Sequence, residues 1–285
     1  MVEKLRAVID SYPDRLLIGE IYLPVERLMT YYGANDDGGH RPFNCQLIQW
    51  PWRVDAIGAP SDEDEAALPE GGWPNWVLSN HDQPRIAARV GQAQARIAAM
   101  LLLTLRGTPT LYYGDEIGIA DIDMSEEQVL DPAARNEPGV SFNRDRSRSP
   151  MQWSADIFAG FSQSEPWLPL TRDWRQRNVA AQSADPASLL NLYRALLRLR
   201  SSESALQTGR FARVAAQENI LAYRRGATIG VMLNLTAETV PLELPAGWNV
   251  QQVLLSARAG GALEALPPVL EADEGLILRL EGSDG

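Results

Sequence analysis

The chain has 285 residues, 45% hydrophobic and 22% charged, the composition of a soluble globular protein with one large domain or a large and a small one. A net charge of −11 repels nucleic-acid phosphate and suits a neutral or cationic small substrate. The single cysteine, Cys45, excludes an intrachain disulfide, and no stretch reaches the roughly 20 apolar residues of a membrane span. Nucleic acid and membrane are therefore not expected as partners. The opening Met1-Val2-Glu3-Lys4-Leu5-Arg6 lacks a signal peptide's apolar region, so a cytoplasmic location is expected.

Val2, Leu5, Val8 and Ile9 recur at helical spacing, and Tyr12-Pro13-Asp14 ends that helix. Leu16-Leu17-Ile18 then predicts a short buried strand closed by Gly19-Glu20. A second strand is expected over residues 43–48, and a surface helix over the acidic stretch 61–68. Trp76-Val77-Leu78-Ser79 predicts a third strand, ending in Asn80-His81-Asp82. Residues 92–105 contain almost no breakers and predict a buried helix. Thr110-Leu111-Tyr112-Tyr113 predicts a fourth strand, ending in Gly114-Asp115-Glu116.

Short, wholly apolar strands alternating with helices describe βα units in a sheet covered on both faces. Polar residues collect at the strand C-terminal ends, the functional ends of a (β/α)8 barrel. Only four such strands are expected here, and eight close a barrel. Residues 121–170 are long, polar and rich in Pro, Arg and Trp, as in a functional loop. Leu189, Leu192, Tyr193, Leu196, Leu197 and Leu199 mark a helix facing the barrel. From Gly209 the period changes, and short strands separated by turns predict a small antiparallel β domain. The expected division is 1–205, a partial barrel, and 206–285, the β domain.

Three segments together resemble glycoside hydrolase family 13, the α-amylase superfamily. Leu16-Leu17-Ile18-Gly19-Glu20 is similar to its fifth-strand segment, Val77-Leu78-Ser79-Asn80-His81-Asp82 to its seventh, and Gly107-Thr108-Pro109-Thr110-Leu111-Tyr112-Tyr113-Gly114-Asp115-Glu116 to its eighth. Arg148-Ser149-Pro150-Met151-Gln152-Trp153 resembles a loop of the α-glucosidase and oligo-1,6-glucosidase branch, which usually has Thr at Ser149. The resemblance runs the length of the chain and implies an α/β fold: strands five to eight of a (β/α)8 TIM barrel, then a small antiparallel β domain.

Retaining glycosidases use two carboxyl groups about 5–5.5 Å apart, one attacking the anomeric carbon and the other protonating the leaving oxygen. The resemblance implies that Glu20 is the acid/base and that Asp82 is a third carboxylate, which holds sugar hydroxyls and stabilises the oxocarbenium-like state. It places His81, Arg85 and Arg148 as substrate-binding residues. The family nucleophile is an aspartate in an Arg-x-Asp setting before the acid/base, and nothing ahead of Glu20 fits. Trp52-Arg53-Val54-Asp55-Ala56 looks superficially similar but follows Glu20, so Asp55 is expected at the surface. Asp115 and Glu116 are expected to shape a loop, Cys45 to fill core space, and His40 has no assigned part.

The activity implied is retaining hydrolysis of terminal α-linked glucose from oligosaccharides, with no cofactor and no metal. This chain is then a truncated form without its nucleophile. A related alternative is α-glucosyl transfer or a sucrose-acting enzyme. A different class of alternative is a non-catalytic fragment or one half of a split enzyme. The expected partners are an α-glucoside or oligosaccharide substrate, with self-association or a missing N-terminal half.

Overall fold

The computed structural model describes residues 2–33, 38–136 and 143–282. The opening helix spans Val2–Asp10. Three short strands follow, β1 (Phe43–Asn44), β2 (Asn75–Val77) and β3 (Thr108–Thr110), and form a parallel sheet in chain order. Phe43 lies opposite Asn75 and Trp76 opposite Pro109. The connections are helical: Val54–Ala67 between β1 and β2, and Ile86–Thr104 between β2 and β3. These are βα units, and each strand delivers its following loop to the same end of the sheet.

The segment expected as a buried first strand differs. Residues 15–24 carry no assigned element, although the Leu17 carbonyl accepts from Arg41 N–H at 3.3 Å and that of Gly19 from Phe43 N–H at 2.8 Å. The segment is thus a backbone-paired edge beside β1. Leu16 and Ile18 are exposed, because no other strand among the described residues covers them. The expectation of four parallel strands is corrected to three and this edge.

The strand expected over 43–48 stops at Asn44. There the Asn44 Oδ1 accepts the N–H of Gln46 at 3.0 Å, and the turn starts the helix Gln46–Gln49. The strand expected to reach Tyr113 ends at Thr110. Beyond it the Tyr112 carbonyl accepts the Asp115 N–H at 3.1 Å, closing a turn around Gly114, whose φ of 87° a side chain would strain.

The helix Ile86–Thr104 is nearly fully buried from Ala95 onward. It has apolar partners on both sides: Trp76 and Leu78 near the parallel sheet, and Leu221, Tyr223, Val231 and Ile277 from the C-terminal strands. That explains why its second half lacks a polar face. Its C-terminal carbonyls are satisfied by arginines. Arg200, on the helix Leu189–Ser202, donates to Leu103 O at 2.8 Å and Leu105 O at 3.2 Å. Arg225 is wholly buried and donates to the carbonyls of Thr104, Leu206 and Gly209, and burial lowers its pKa to about 10.

The antiparallel strands begin at Phe211. They are β4 (Phe211–Val214), β5 (Ile220–Arg225), β6 (Ile229–Asn234), β7 (Val240–Pro241), β8 (Val250–Ser256), β9 (Val269–Leu270) and β10 (Gly275–Leu280). Five form one sheet in the order β4-β5-β6-β10-β8, and β7 pairs with β9. No helix among the described residues is long and apolar enough to cross a membrane.

Candidate active site

The ends of the parallel strands bring distant residues together. Glu20 leaves the edge segment, and Asn80, His81 and Asp82 follow β2. Ligand atoms of Glu20, His81 and Asp82 all lie within 4.8 Å of one another. Glu20 and His81 are exposed and Asp82 half-buried. Asn80 joins the two carboxylates. Its Nδ2 donates to Glu20 Oε1 at 3.5 Å and to the Tyr22 hydroxyl, while its Oδ1 accepts the N–H groups of Asp82 and Gln83, each at 3.0 Å. One side chain thus fixes the turn that presents Asp82 and touches the carboxylate opposite.

Two guanidinium groups and an imidazole surround Asp82. Arg148 donates through Nη2 to Asp82 Oδ1 at 3.0 Å and through Nε to the His81 carbonyl at 2.8 Å. Arg144 Nη1 stands 3.7 Å from the same carboxylate oxygen, and His81 Nε2 at 3.4 Å. Arg144 is itself held by a two-pronged bond to Asp131, which keeps that carboxyl well below its usual range. Glu20, His81 and Asp82 offer the oxygen and nitrogen ligands of a small cation site. The guanidinium groups on Asp82 oppose a second cation there.

Arg85 takes a different place from its neighbours. Its side chain is wholly buried, with its guanidinium 4.6 Å from the ring centres of both Tyr112 and Tyr113. It donates to the Tyr113 carbonyl at 2.6 Å and stands 3.8 Å from Asp115. The two tyrosines in turn fasten the Arg148 loop: Tyr112 donates to the Ser147 carbonyl at 3.1 Å and Tyr113 to that of Ser149 at 2.7 Å. Arg85 therefore supports the rings that hold Arg148 against Asp82. Burial raises the Asp115 pKa to about 7 despite the neighbouring Arg85.

Cys45 lies buried with Ile48 and Val77, against Tyr22 and Phe43, and burial raises its pKa to about 11. Burial likewise pushes Tyr22 up to about 12. Asp55 begins the helix Val54–Ala67, paired with Arg53 at 2.9 Å, an interaction that lowers its pKa. It lines a cavity of about 610 Å³ against β4 and β5, to which Glu20, His81 and Asp82 do not contribute. His40 links elements: its Nδ1 accepts the Leu17 N–H at 2.9 Å and its Nε2 is 3.1 Å from Asp10.

Sequence reasoning missed Tyr22, Asn80 as a link, and Arg144. The alternation Arg144-Asp145-Arg146-Ser147-Arg148 was the available signal for a cationic loop. Tyr22 had only its nearness to Glu20.

Comparison with known proteins places the chain in a family. The model of the family described as "Alpha amylase, catalytic domain" matches residues 1–209. Maltase A1 of Drosophila melanogaster is 33% identical over 262 residues, covering 86% of this chain and 45% of the relative. The amino acid transporter heavy chain SLC3A1 of Homo sapiens is 34% identical over 303 residues, covering 98% and 42%. The crystal structure of the alpha-glucosyl transfer enzyme XgtA superposes with a TM-score of 0.88 at 30% identity, covering 98% of this chain and 54% of that one. The chain thus spans about half the length of the curated relatives it matches. With a catalytic-domain match over residues 1–209, the chain belongs to the α-amylase catalytic-domain family.

Proposed function

We propose that this chain supplies the acid/base and the charge-stabilising carboxylate of a retaining α-glucoside-processing site. Glu20 is the acid/base, Asp82 the stabilising group, and the nucleophile lies on barrel strands outside the chain. The reading takes residues 1–205 as strands five to eight of the barrel and 206–285 as an attached β domain.

The observation that carries it is the convergence of Glu20, His81 and Asp82 within 4.8 Å, from the edge segment and from the loop after β2. In the reaction, a carboxylate attacks the anomeric carbon as Glu20 gives its proton to the departing oxygen. Glu20, now a carboxylate, takes a proton from water or an acceptor hydroxyl, which displaces the glycosyl ester. Asp82 suits stabilisation better than attack. Arg148 donates to its Oδ1 and Arg144 stands beside the same oxygen, drawing density from it while leaving Oδ2 open to sugar hydroxyls. His81 completes the glucose-binding side; Arg85, expected to bind substrate, is wholly buried and acts instead by fixing the tyrosine-bound Arg148 loop. The likeness to an enzyme named for glucosyl transfer supports transfer beside hydrolysis as the second half-reaction.

A second reading has its own observation. A relative named as a transporter heavy chain matches 98% of this chain. On that reading the fold serves without turnover.

The test is binding of methyl α-D-glucopyranoside to the 285-residue chain, followed by saturation-transfer NMR. Asp82→Asn should weaken binding by roughly tenfold or more, as loss of a charge-assisted hydrogen bond predicts. Binding unchanged by Asp82→Asn, or no binding by the parent chain, counts against the proposal.

A further inference from the structure

Arg85 and Asp115 form a charged pair shut away from solvent: Arg85 is wholly buried and Asp115 is 3% exposed. Arg85 Nη1 stands 3.8 Å from Asp115 Oδ1. The pair is incomplete on both sides. Arg85 Nε and Nη2 and Asp115 Oδ1 are buried and find no hydrogen-bond partner among the described residues. Burying such groups unpaired is costly, and a shift of about 1 Å would join them.

The guanidinium is kept away by another duty. The same Nη1 donates to the Tyr113 carbonyl at 2.6 Å, and the guanidinium lies 4.6 Å from the ring centres of Tyr112 and Tyr113. A Cβ on Gly114 would come within 3.0 Å of that nitrogen, so the glycine makes the close approach possible. The two tyrosines donate to the carbonyls of Ser147 and Ser149, on either side of Arg148, and Arg148 donates to Asp82. Asp115 and Asp82 are thus the two ends of one line of contacts.

The other groups facing Asp115 are held in place. Arg89 approaches it from the helix Ile86–Thr104, but its Nη1 and Nη2 are bound to the carbonyls of Leu47, Ile48 and Leu78. The Ser79 hydroxyl bonds the carboxyl and also accepts the Ile86 N–H at 2.8 Å. Glu116, next in the chain, and Tyr193, from the helix Leu189–Ser202, bring no positive charge. Asp121 lies on the far side, where its Oδ1 accepts the Arg85 N–H at 2.8 Å. Burial raises the Asp115 pKa to about 7, so the carboxyl changes charge near neutrality. Protonated, it leaves the guanidinium to Tyr113. Ionised, it draws Nη1 toward Oδ1 and away from the Tyr113 carbonyl.

We propose that Asp115 is a positioning residue for the Asp82 site: its charge, passed through Arg85 and Tyr113, sets how firmly Arg148 is held against Asp82. The inference deepens the glucose reading of Asp82 and rests on it for binding, while its effect on Arg148 is read without sugar. The experiment takes the 285-residue chain from about pH 5.5 to 8.5 and follows two signals. One is the Arg148 side-chain Nε–Hε resonance by NMR. The other is the dissociation constant of methyl α-D-glucopyranoside.

The Arg148 resonance should move in one step near pH 7, and methyl glucoside should bind roughly three- to tenfold more weakly above that step than below it. In Asp115→Asn the side chain is neutral at every pH, so the step and the loss of affinity should both disappear. His81, beside Asp82, can also change charge in this range. It is kept in the variant, so any pH dependence the variant retains belongs to His81. Tyr113→Phe keeps Asp115 and Arg85 but removes the hydroxyl bond to the Ser149 carbonyl. There the Asp115 carboxyl carbon should still titrate while the Arg148 step shrinks, and this variant decides if Asp115→Asn does not fold. No step in the parent, a step of the same size in Asp115→Asn, or one undiminished in Tyr113→Phe overturns the proposal and leaves the glucose reading standing. If methyl glucoside binds at no pH, the glucose reading fails, and the Arg148 resonance alone decides whether Asp115 positions it.

Discussion

Asn80 shows how much of the site rests on one side chain. Its amide reaches Glu20 and Tyr22 on one side and caps the turn before Asp82 on the other. The family resemblance of separate motifs, rather than residue types alone, singled out Glu20, His81, Asp82 and Arg148, and the structure brings them together. The burial of Arg85 was not legible: it depends on Tyr112 and Tyr113 folding over the guanidinium after β3 ends. Beneath them Asp115 makes a testable residue. Its folded pKa is about 7, raised from 3.8 by burial, and its Oδ1, 3.8 Å from Arg85 Nη1, is beyond hydrogen-bond distance. Between those values the folded chain keeps a proton that the unfolded chain releases. Stability should therefore fall as pH rises from about 4 to 7 and level off above. Urea midpoints of the parent and Asp115→Asn, taken across that window, should diverge in favour of the variant as pH rises. A difference that stays constant with pH would contradict this origin.

Helices and the C-terminal strands were legible where their period was sustained. The strand at residues 16–18 was not, because an apolar run predicts a buried strand only if a neighbour exists to bury it. Leu16 and Ile18 instead lie on an open edge, and Leu5, Val8 and Tyr12 of the adjoining segment are also exposed. At β3 the aromatic pair Tyr112-Tyr113 has the composition of a strand, yet its hydroxyls are spent fastening the Arg148 loop. The open edge predicts association. Sedimentation velocity over a range of concentrations should show mass-action self-association, weakened by Leu16→Lys with Ile18→Lys. A monomer at every concentration would contradict it.

Across the whole molecule, one core runs from Trp76 and Leu78 through the helix Ile86–Thr104 into β5, β6 and β10. Arg225 ties the end of that helix to the turn before β4 by hydrogen bonds to three carbonyls. The site therefore stands at one end of a parallel sheet whose helices are braced from behind. It presents the two carboxylates proposed as acid/base and stabiliser, and a cationic loop. On the proposed assignment the attacking carboxylate lies outside these 285 residues. The most direct measurement is turnover of 4-nitrophenyl α-D-glucopyranoside by the purified chain, with Glu20→Gln and Asp55→Asn beside it. Its leaving group scarcely needs protonation, so it forgives a weak acid but still requires a nucleophile. No turnover and no burst are expected. Robust release of nitrophenol, abolished by Asp55→Asn or by loss of another carboxylate of the chain, would contradict it.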